Sequence, residues 1–172
     1  MKSNFTTALS ALLQPGREGG FSNNPADPGG MTNLGVTKRV WEAWVGHPVS
    51  EDAMRALTPD VVAPLYKLRY WDRVSGDALP KGVDYAVFDC AVNSGPGRAT
   101  KFLQQVVNET QDGIIGPRTL AAVASANPEK LIAAYNVARL AFMQELPTWE
   151  TFKGGWSRRV VEVTGEATSM AA

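Results

Sequence analysis

The chain has 172 residues, of which 44% are hydrophobic, and its 17 basic residues balance its 17 acidic residues. This length and composition predict one well-buried core, and the charge balance excludes a general electrostatic attraction to nucleic acid. A single cysteine, Cys90, excludes an internal disulfide, and a single histidine, His47, excludes a histidine-rich zinc site. We therefore expect no metal and no cofactor, which disfavours zinc amidases and zinc peptidases.

The N-terminal residues lack the apolar segment of an export signal, and no stretch approaches the roughly 20 apolar residues that span a bilayer. We therefore expect a protein that is made in a cytoplasm and does not insert into a membrane. We take a monomer as the default oligomeric state.

The first predicted helix runs from about Ser3 to Gln14, because apolar residues recur there at helical spacing. Glu18 follows this helix at the mouth of a loop that contains Asp27 and ends near Thr32. The loop is rich in glycine, which adopts positive φ, and in proline, which stiffens the path. We expect a rigid loop or a short β-hairpin here.

Glu18 and Asp27 are nine positions apart and suit a general acid/base pair. In such a pair one carboxyl is desolvated and keeps its proton near neutral pH, while the other stays ionised. The ordinary alternatives are a salt bridge or helix cap for Glu18 and a turn held by backbone hydrogen bonds for Asp27. From these residues alone, both interpretations remain open.

The remaining pattern is mainly helical, with breaks at glycine and proline. Apolar residues from Leu34 to Val45 suggest a second helix, and Ser50, Thr58 and Asn127 are expected N-caps. The further predicted helices cover about 50–57, 58–72, 83–93, 98–108, 117–126, 127–146 and 155–163, with a connector at 76–82 and a frayed tail at 164–172.

Several motifs occur in one order along nearly the whole chain: Glu18-Gly19-Gly20-Phe21, Asp27-Pro28-Gly29-Gly30-Met31-Thr32, Tyr70-Trp71-Asp72, Val92-Asn93-Ser94-Gly95, Asp112-Gly113-Ile114-Ile115-Gly116-Pro117 and Gly155-Trp156. With them the chain resembles the glycoside hydrolase family 108 muramidases. The resemblance implies a mainly α, lysozyme-like fold with two lobes around a cleft and a small loop or hairpin lobe near 18–35. It also implies a catalytic half at 1–82 and a peptidoglycan-binding half at 83–172, packed as one globular unit.

The activity implied by the resemblance is hydrolysis of the β-1,4 bond between N-acetylmuramic acid and N-acetylglucosamine in bacterial peptidoglycan. Such proteins often serve as bacteriophage endolysins. We therefore expect synthesis in the host cytoplasm, holin-dependent release and action on the cell wall during host lysis. The alternatives are a lytic transglycosylase, which forms a 1,6-anhydro sugar, and a peptidoglycan-binding protein without turnover.

The resemblance implies that Glu18 is the general acid. Asp27 would stabilise the oxocarbenium-like transition state, orient a water or act as nucleophile. Thr32 would hold a water or cap the following helix, and it comes five positions after Asp27, where many phage lysozymes have six. The spacing between the two acids resembles that of inverting enzymes and favours inversion.

Three residues are candidates for substrate binding. Tyr70 and Trp71 would stack on sugar rings, or belong to the core as an aromatic pair at a helix end. Asn93 would hydrogen-bond an N-acetyl group, or tie its helix to the turn that follows. Asp89 shares a helix with Asn93 and is expected to be a buried acid satisfied by an arginine or a tyrosine.

Overall fold

The computed structural model describes residues 3–24 and 30–172. Over these residues the chain is mainly helical, with one small antiparallel sheet. The helices are α1 (Phe5–Leu12), α2 (Lys38–Val45), α3 (Glu51–Arg55), α4 (Pro59–Tyr66), α5 (Val83–Ser94), α6 (Pro96–Val106), α7 (Pro117–Ser125), α8 (Pro128–Gln144) and α9 (Trp149–Ala171). The strands are β1 (Phe21–Asn23), β2 (Met31–Asn33) and β3 (Val36–Thr37).

The chain divides into two compact units. The N-terminal unit is Thr6–Arg69, and the C-terminal unit comprises Tyr70–Ala172 together with the start of the chain up to Phe5. From the sequence we expected the boundary between the two halves further along the chain, between residues 82 and 83. Among the described helices, none has the length and apolar character needed to cross a membrane.

The small sheet of the N-terminal unit has the order β1-β2-β3 with antiparallel neighbours. A turn of two residues, Leu34 and Gly35, joins β2 to β3, and both residues have positive φ, 49° and 72°. Positive φ at both central residues is the geometry that two-residue hairpin turns favour. Strands β1 and β2 pair antiparallel, from Phe21 with Asn33 to Asn23 with Met31, so the strand pairing expected near 18–35 is present.

The second helix begins later than the sequence indicated. We expected it from about Leu34, but Leu34 forms the hairpin turn and α2 begins at Lys38. Thr37 is the N-cap of α2, since its Oγ1 accepts a hydrogen bond from the backbone N–H of Val40 at 3.2 Å. The alternative in which Thr32 caps this helix is therefore wrong.

Caps at α3, α4 and α8 follow the sequence closely. The side chains of Ser50, Thr58 and Asn127 each accept a hydrogen bond from a backbone N–H in the first turn of the helix that follows. The helix predicted for 58–72 is not uniform, however. It is α-helical only to Tyr66 and continues as a π-helical segment, Lys67–Trp71, and a 3-10 turn, Asp72–Val74.

Helix α5 is the centre of the C-terminal unit, and every residue from Val83 to Ala91 is buried. It packs against α6, α8 and α9. Within this core Asp89 forms ion pairs with Arg139 at 2.7 Å and Arg159 at 2.9 Å. Burial alone would raise the pKa of Asp89, but the two guanidinium charges outweigh it and the net shift is downward. The expected buried acid satisfied by arginine is confirmed.

The C-terminal tail is not frayed. We expected the last helix to end near Val163, but α9 continues to Ala171, and both Val163 and Ala167 are fully buried. Glu166 accepts a hydrogen bond from the Tyr85 hydroxyl at 2.7 Å. These contacts hold the last turns of α9 on the C-terminal unit.

Candidate functional site

Glu18 lies where the chain turns back on the end of α1. Gly16, with a φ of 90°, reverses the chain direction after the helix. The backbone N–H of Glu18 then donates to the carbonyl of Leu12, the last residue of α1, at 3.3 Å. The Glu18 side chain is half-buried. The carboxyl group is therefore carried by backbone that is hydrogen-bonded to a helix end.

Two further contacts fix this turn. The Arg17 guanidinium donates to the carbonyl of Ala11 at 2.9 Å, and the N–H of Gly19 donates to the carbonyl of Gln14 at 3.2 Å. A β-carbon at Gly19 would collide with the carbonyl oxygen of Leu13. A residue larger than glycine at position 19 would therefore displace the backbone next to Glu18.

The hairpin turn between β2 and β3 packs directly against the Glu18 side chain. A β-carbon at Gly35 would lie 2.8 Å from Oε2 of Glu18 and 2.5 Å from the hydroxyl oxygen of Tyr66. The Tyr66 side chain is buried, and its hydroxyl donates to the carbonyl of Leu34 at 2.8 Å. Glu18, the Leu34-Gly35 turn and Tyr66 thus form one packed group, which we call the Glu18 site.

Thr32 lies in the middle of β2, in the same unit as Glu18. Its direct partners across the sheet are Ser22 on β1 and Thr37 on β3. Residues directly opposite each other present their side chains on the same face of a sheet. Three hydroxyl-bearing side chains therefore form a row across one face, and hydroxyl groups of this kind can hold a water molecule.

Asp27, the second candidate acid, lies outside the described residues. Its role and the separation of the two carboxyl groups stay predictions from the sequence. Over residues 3–24 and 30–172, the histidine, cysteine and acidic side chains form no group of three or more that could hold a metal ion.

The three candidate substrate residues belong to the C-terminal unit. Trp71 has no exposed surface, its indole N–H donates to Asp77 at 2.8 Å, and its ring packs against Phe5 and Phe88. The alternative in which Trp71 stacks on a sugar ring is therefore wrong, because its indole lies in the core. Tyr70 is half-buried.

Asn93 is exposed at the end of α5. Its Oδ1 accepts a hydrogen bond from the Ser94 hydroxyl at 3.2 Å and a longer one from the Arg139 guanidinium at 3.5 Å. The expected tie between the helix and the turn that follows is thus present. The second interpretation, contact with an N-acetyl group, is compatible with this geometry because the amide nitrogen makes neither of these bonds.

Sequence reasoning did not select Gly35 or Tyr66 as site residues. The pair Leu34-Gly35 was a weak signal, because Asn-Gly and Asp-Gly are the usual sequences of a two-residue hairpin turn. Tyr66 lies in an ordinary apolar helix pattern, and no spacing in the sequence connects it to Glu18.

Comparison with known families and structures gives two matches to family models. The model described as "Glycosyl hydrolase 108" matches residues 14–95, a range that contains Glu18 and the other candidate site residues. The model described as "Predicted Peptidoglycan domain" matches residues 98–161. The boundary between these matches falls at the first residues of α6. The sequence matches no curated protein.

A solved structure is similar over nearly the whole chain. It is described as "Structure of Brucella abortus SagA" and is 42% identical in sequence, with a TM-score of 0.84. The match covers 98% of the present chain and 95% of the other. The similarity therefore extends over both compact units.

Proposed function

Because this chain belongs to the glycosyl hydrolase 108 family and has a lysozyme-like fold, we propose that it cleaves the β-1,4 bond between N-acetylmuramic acid and N-acetylglucosamine. The family shows that it is a glycoside hydrolase, and the second family match supports peptidoglycan as the polymer it acts on. The observation that best supports the proposed reaction is the position of Glu18, which is fixed at a helix end and packed against Gly35.

Glu18 acts in this proposal as the general acid. A glycosidic oxygen is a poor leaving group until it is protonated, so a carboxylic acid beside the bond lowers the barrier to its departure. Correct placement is as important as acidity, because the proton must reach one particular oxygen atom. The packing of Glu18 against the hairpin turn limits the positions that its carboxyl group can take.

The second half of the reaction needs a group that stabilises positive charge at the sugar or activates a water. We assign this role to Asp27, which follows Glu18 by nine positions. Thr32 would help to hold the water through its hydroxyl group. Inversion at the anomeric carbon follows if a water attacks directly, and it stays the outcome that the spacing favours.

Product analysis tests the proposed bond specificity. Purified peptidoglycan sacculi are digested with the wild-type protein, and the released muropeptides are analysed by mass spectrometry before and after borohydride reduction. We expect products with N-acetylmuramic acid at the reducing end. Reducing N-acetylglucosamine would assign the cleavage to the other glycosidic bond, and 1,6-anhydro ends would identify a lytic transglycosylase.

The biological role that we propose is that of a bacteriophage endolysin, which acts on host peptidoglycan after release from the cytoplasm. This role is supported by the family resemblance. The test is expression in a bacterial host with and without a co-expressed holin, followed by culture turbidity. We expect lysis only with the holin. Lysis without it would show that the protein reaches the wall by another route.

A further inference from the structure

A cavity of about 330 Å³ lies within the C-terminal unit. Its lining includes Asn93, Ser94, Arg98, Phe142, Leu146 and Trp156, and we call it the Trp156 cavity. The volume is at the lower end of the roughly 300–1,000 Å³ that small-molecule sites occupy. The cavity is thus suited to one sugar-sized group, and most of its lining lies in the part of the chain that matches the peptidoglycan domain.

One wall of the cavity is aromatic. The indole of Trp156 stacks on the ring of Phe152, with centroids 5.5 Å apart and planes 24° from parallel. Phe152 is 50% exposed, so this aromatic surface continues out of the cavity along α9. An aromatic surface of this kind packs well against the C–H face of a pyranose ring.

The floor is closed by apolar side chains and an arginine. Phe142 and Leu146 supply apolar surface at the end of α8. The Arg98 guanidinium lies over the Phe142 ring, 4.2 Å from its centroid. This cation–π contact holds the arginine against the apolar floor. A small apolar group such as a methyl would be taken out of water here.

The rim carries one hydrogen-bond donor and one acceptor side by side. The Ser94 hydroxyl and the Arg139 guanidinium both donate to Oδ1 of Asn93. This leaves the amide nitrogen of Asn93 as a donor, with no partner among the residues the structure describes. The Ser94 oxygen, having donated its proton, still has acceptor capacity. A ligand amide carbonyl can accept a hydrogen bond from the Asn93 amide nitrogen, and a ligand hydroxyl can donate to Ser94.

We propose that the Trp156 cavity binds an N-acetylated hexosamine of the peptidoglycan glycan strand. The sugar ring packs on Trp156, the acetamido carbonyl accepts from Asn93, a sugar hydroxyl donates to Ser94, and the acetamido methyl contacts the apolar floor. The proposal rests on the proposed function for the identity of the polymer. It assigns the glycan, not the stem peptide, because the aromatic wall and the donor and acceptor at the rim both fit the sugar.

The test measures ligand binding to the full-length Glu18→Gln protein by NMR, with the indole N–H resonance of Trp156 and the side-chain amide of Asn93 as local reporters. The ligands are the N-acetylglucosamine tetramer, the glucosamine tetramer that lacks acetyl groups, and a free stem tetrapeptide. We expect the acetylated tetramer to shift both reporters and the glucosamine tetramer to bind about tenfold more weakly or not at all.

Asn93→Asp is the informative variant, because it keeps an acceptor for Arg139 and Ser94 but removes the donor. We expect it to weaken binding of the acetylated tetramer at these reporters about tenfold. Val161→Ala, at a 69% exposed position of the same helix α9, is the control and should bind as the parent does. Equal binding by Asn93→Asp would overturn the assigned contact.

The remaining outcomes also decide the proposal. Reporter shifts caused by the stem tetrapeptide and not by the acetylated tetramer would overturn the sugar assignment, as would a tetramer that leaves both reporters unmoved. These failures differ from failure of the proposed function. The proposed function is tested separately, by the muropeptide products of the wild-type protein, and that result does not depend on the binding experiment.

Discussion

At the scale of single residues, the Glu18 site depends on small distances. Gly35 adopts a φ of 72° and leaves no room for a side chain between the Glu18 carboxyl and the Tyr66 hydroxyl. The sequence made Glu18 a candidate acid, because it lies just past a helix end and before a glycine-rich loop, and the family resemblance favoured the catalytic interpretation. It could not predict Gly35 and Tyr66, whose contribution is a packing contact between segments distant in the chain.

Gly35→Ala should therefore impair catalysis strongly. The new β-carbon must displace the carboxyl group of Glu18 or the hydroxyl of Tyr66, and misplacement of a catalytic group by about 1 Å can cost roughly 10²-fold in rate. Gly20→Ala is the matched control, because Gly20 also has positive φ, 100°, and has no atom within 4 Å of the added β-carbon. Initial rates of sacculus hydrolysis, compared at equal folded fraction, check this. Equal loss in both variants would contradict it.

The variant Tyr66→Phe tests whether the hydrogen bond from the Tyr66 hydroxyl holds the hairpin turn in place. It removes the donor to the Leu34 carbonyl, and leaving such a group without its partner costs about 1–3 kcal/mol of unfolding free energy. We expect a loss in this range by urea denaturation, together with a lower kcat and little change in KM. An unchanged kcat would show that the turn keeps its position without this hydrogen bond.

At the scale of secondary-structure elements, local signals predicted most helix starts, whereas tertiary contacts decided the ends. Ser50, Thr58 and Asn127 cap their helices as expected. The extent of α9 was missed because Gly154, Gly155 and Gly165 lower its helix propensity by about 1 kcal/mol each. Burial of Val163 and Ala167 in the core outweighs this preference.

Gly82→Ala should report on the packing of α9. A β-carbon at Gly82 would collide with the carbonyl oxygen of Ala167, and the residue has a φ of 83°. We expect a loss of roughly 3 kcal/mol or more in unfolding free energy from strain and overpacking. Gly95→Ala, with a φ of 90° and open space around the added atom, should lose only about 1–2 kcal/mol. Chemical denaturation gives both values, and similar losses would contradict tight packing at Gly82.

At the scale of the whole molecule, two buried acids of α5 give stability opposite dependences on pH. Burial raises the pKa of Asp84 to about 6, against the lowering effect of its hydrogen bonds with Asn4 and with the N–H groups of Tyr85 and Gly82. The folded state therefore binds a proton that the unfolded state has released, so stability falls as pH rises from about 4 to 6. Asp89 acts in the reverse sense, and its contribution is lost only in acid, since its pKa is lowered.

The variant Asp84→Asn isolates the contribution of Asp84 to the pH dependence of stability. An asparagine Oδ1 can accept the same three hydrogen bonds but does not titrate. Relative to the wild type, we expect the unfolding free energy of the variant to rise by about 2 kcal/mol between pH 4 and pH 7. Guanidinium denaturation at intervals of one pH unit measures this difference. A constant difference across that range would show that Asp84 titrates alike in both states.

In the proposed mechanism, Glu18 donates the proton that breaks the glycosidic bond. The most direct measurement is the rate at which Glu18→Gln releases reducing ends from purified sacculi, beside Glu51→Gln as control. Glu51 lies in the same unit, in a surface ion pair with Arg55 that contributes little to stability. We expect Glu18→Gln to lose about 10²–10⁴-fold and Glu51→Gln to match the wild type. A Glu18→Gln protein that hydrolyses sacculi at the wild-type rate would contradict the claim.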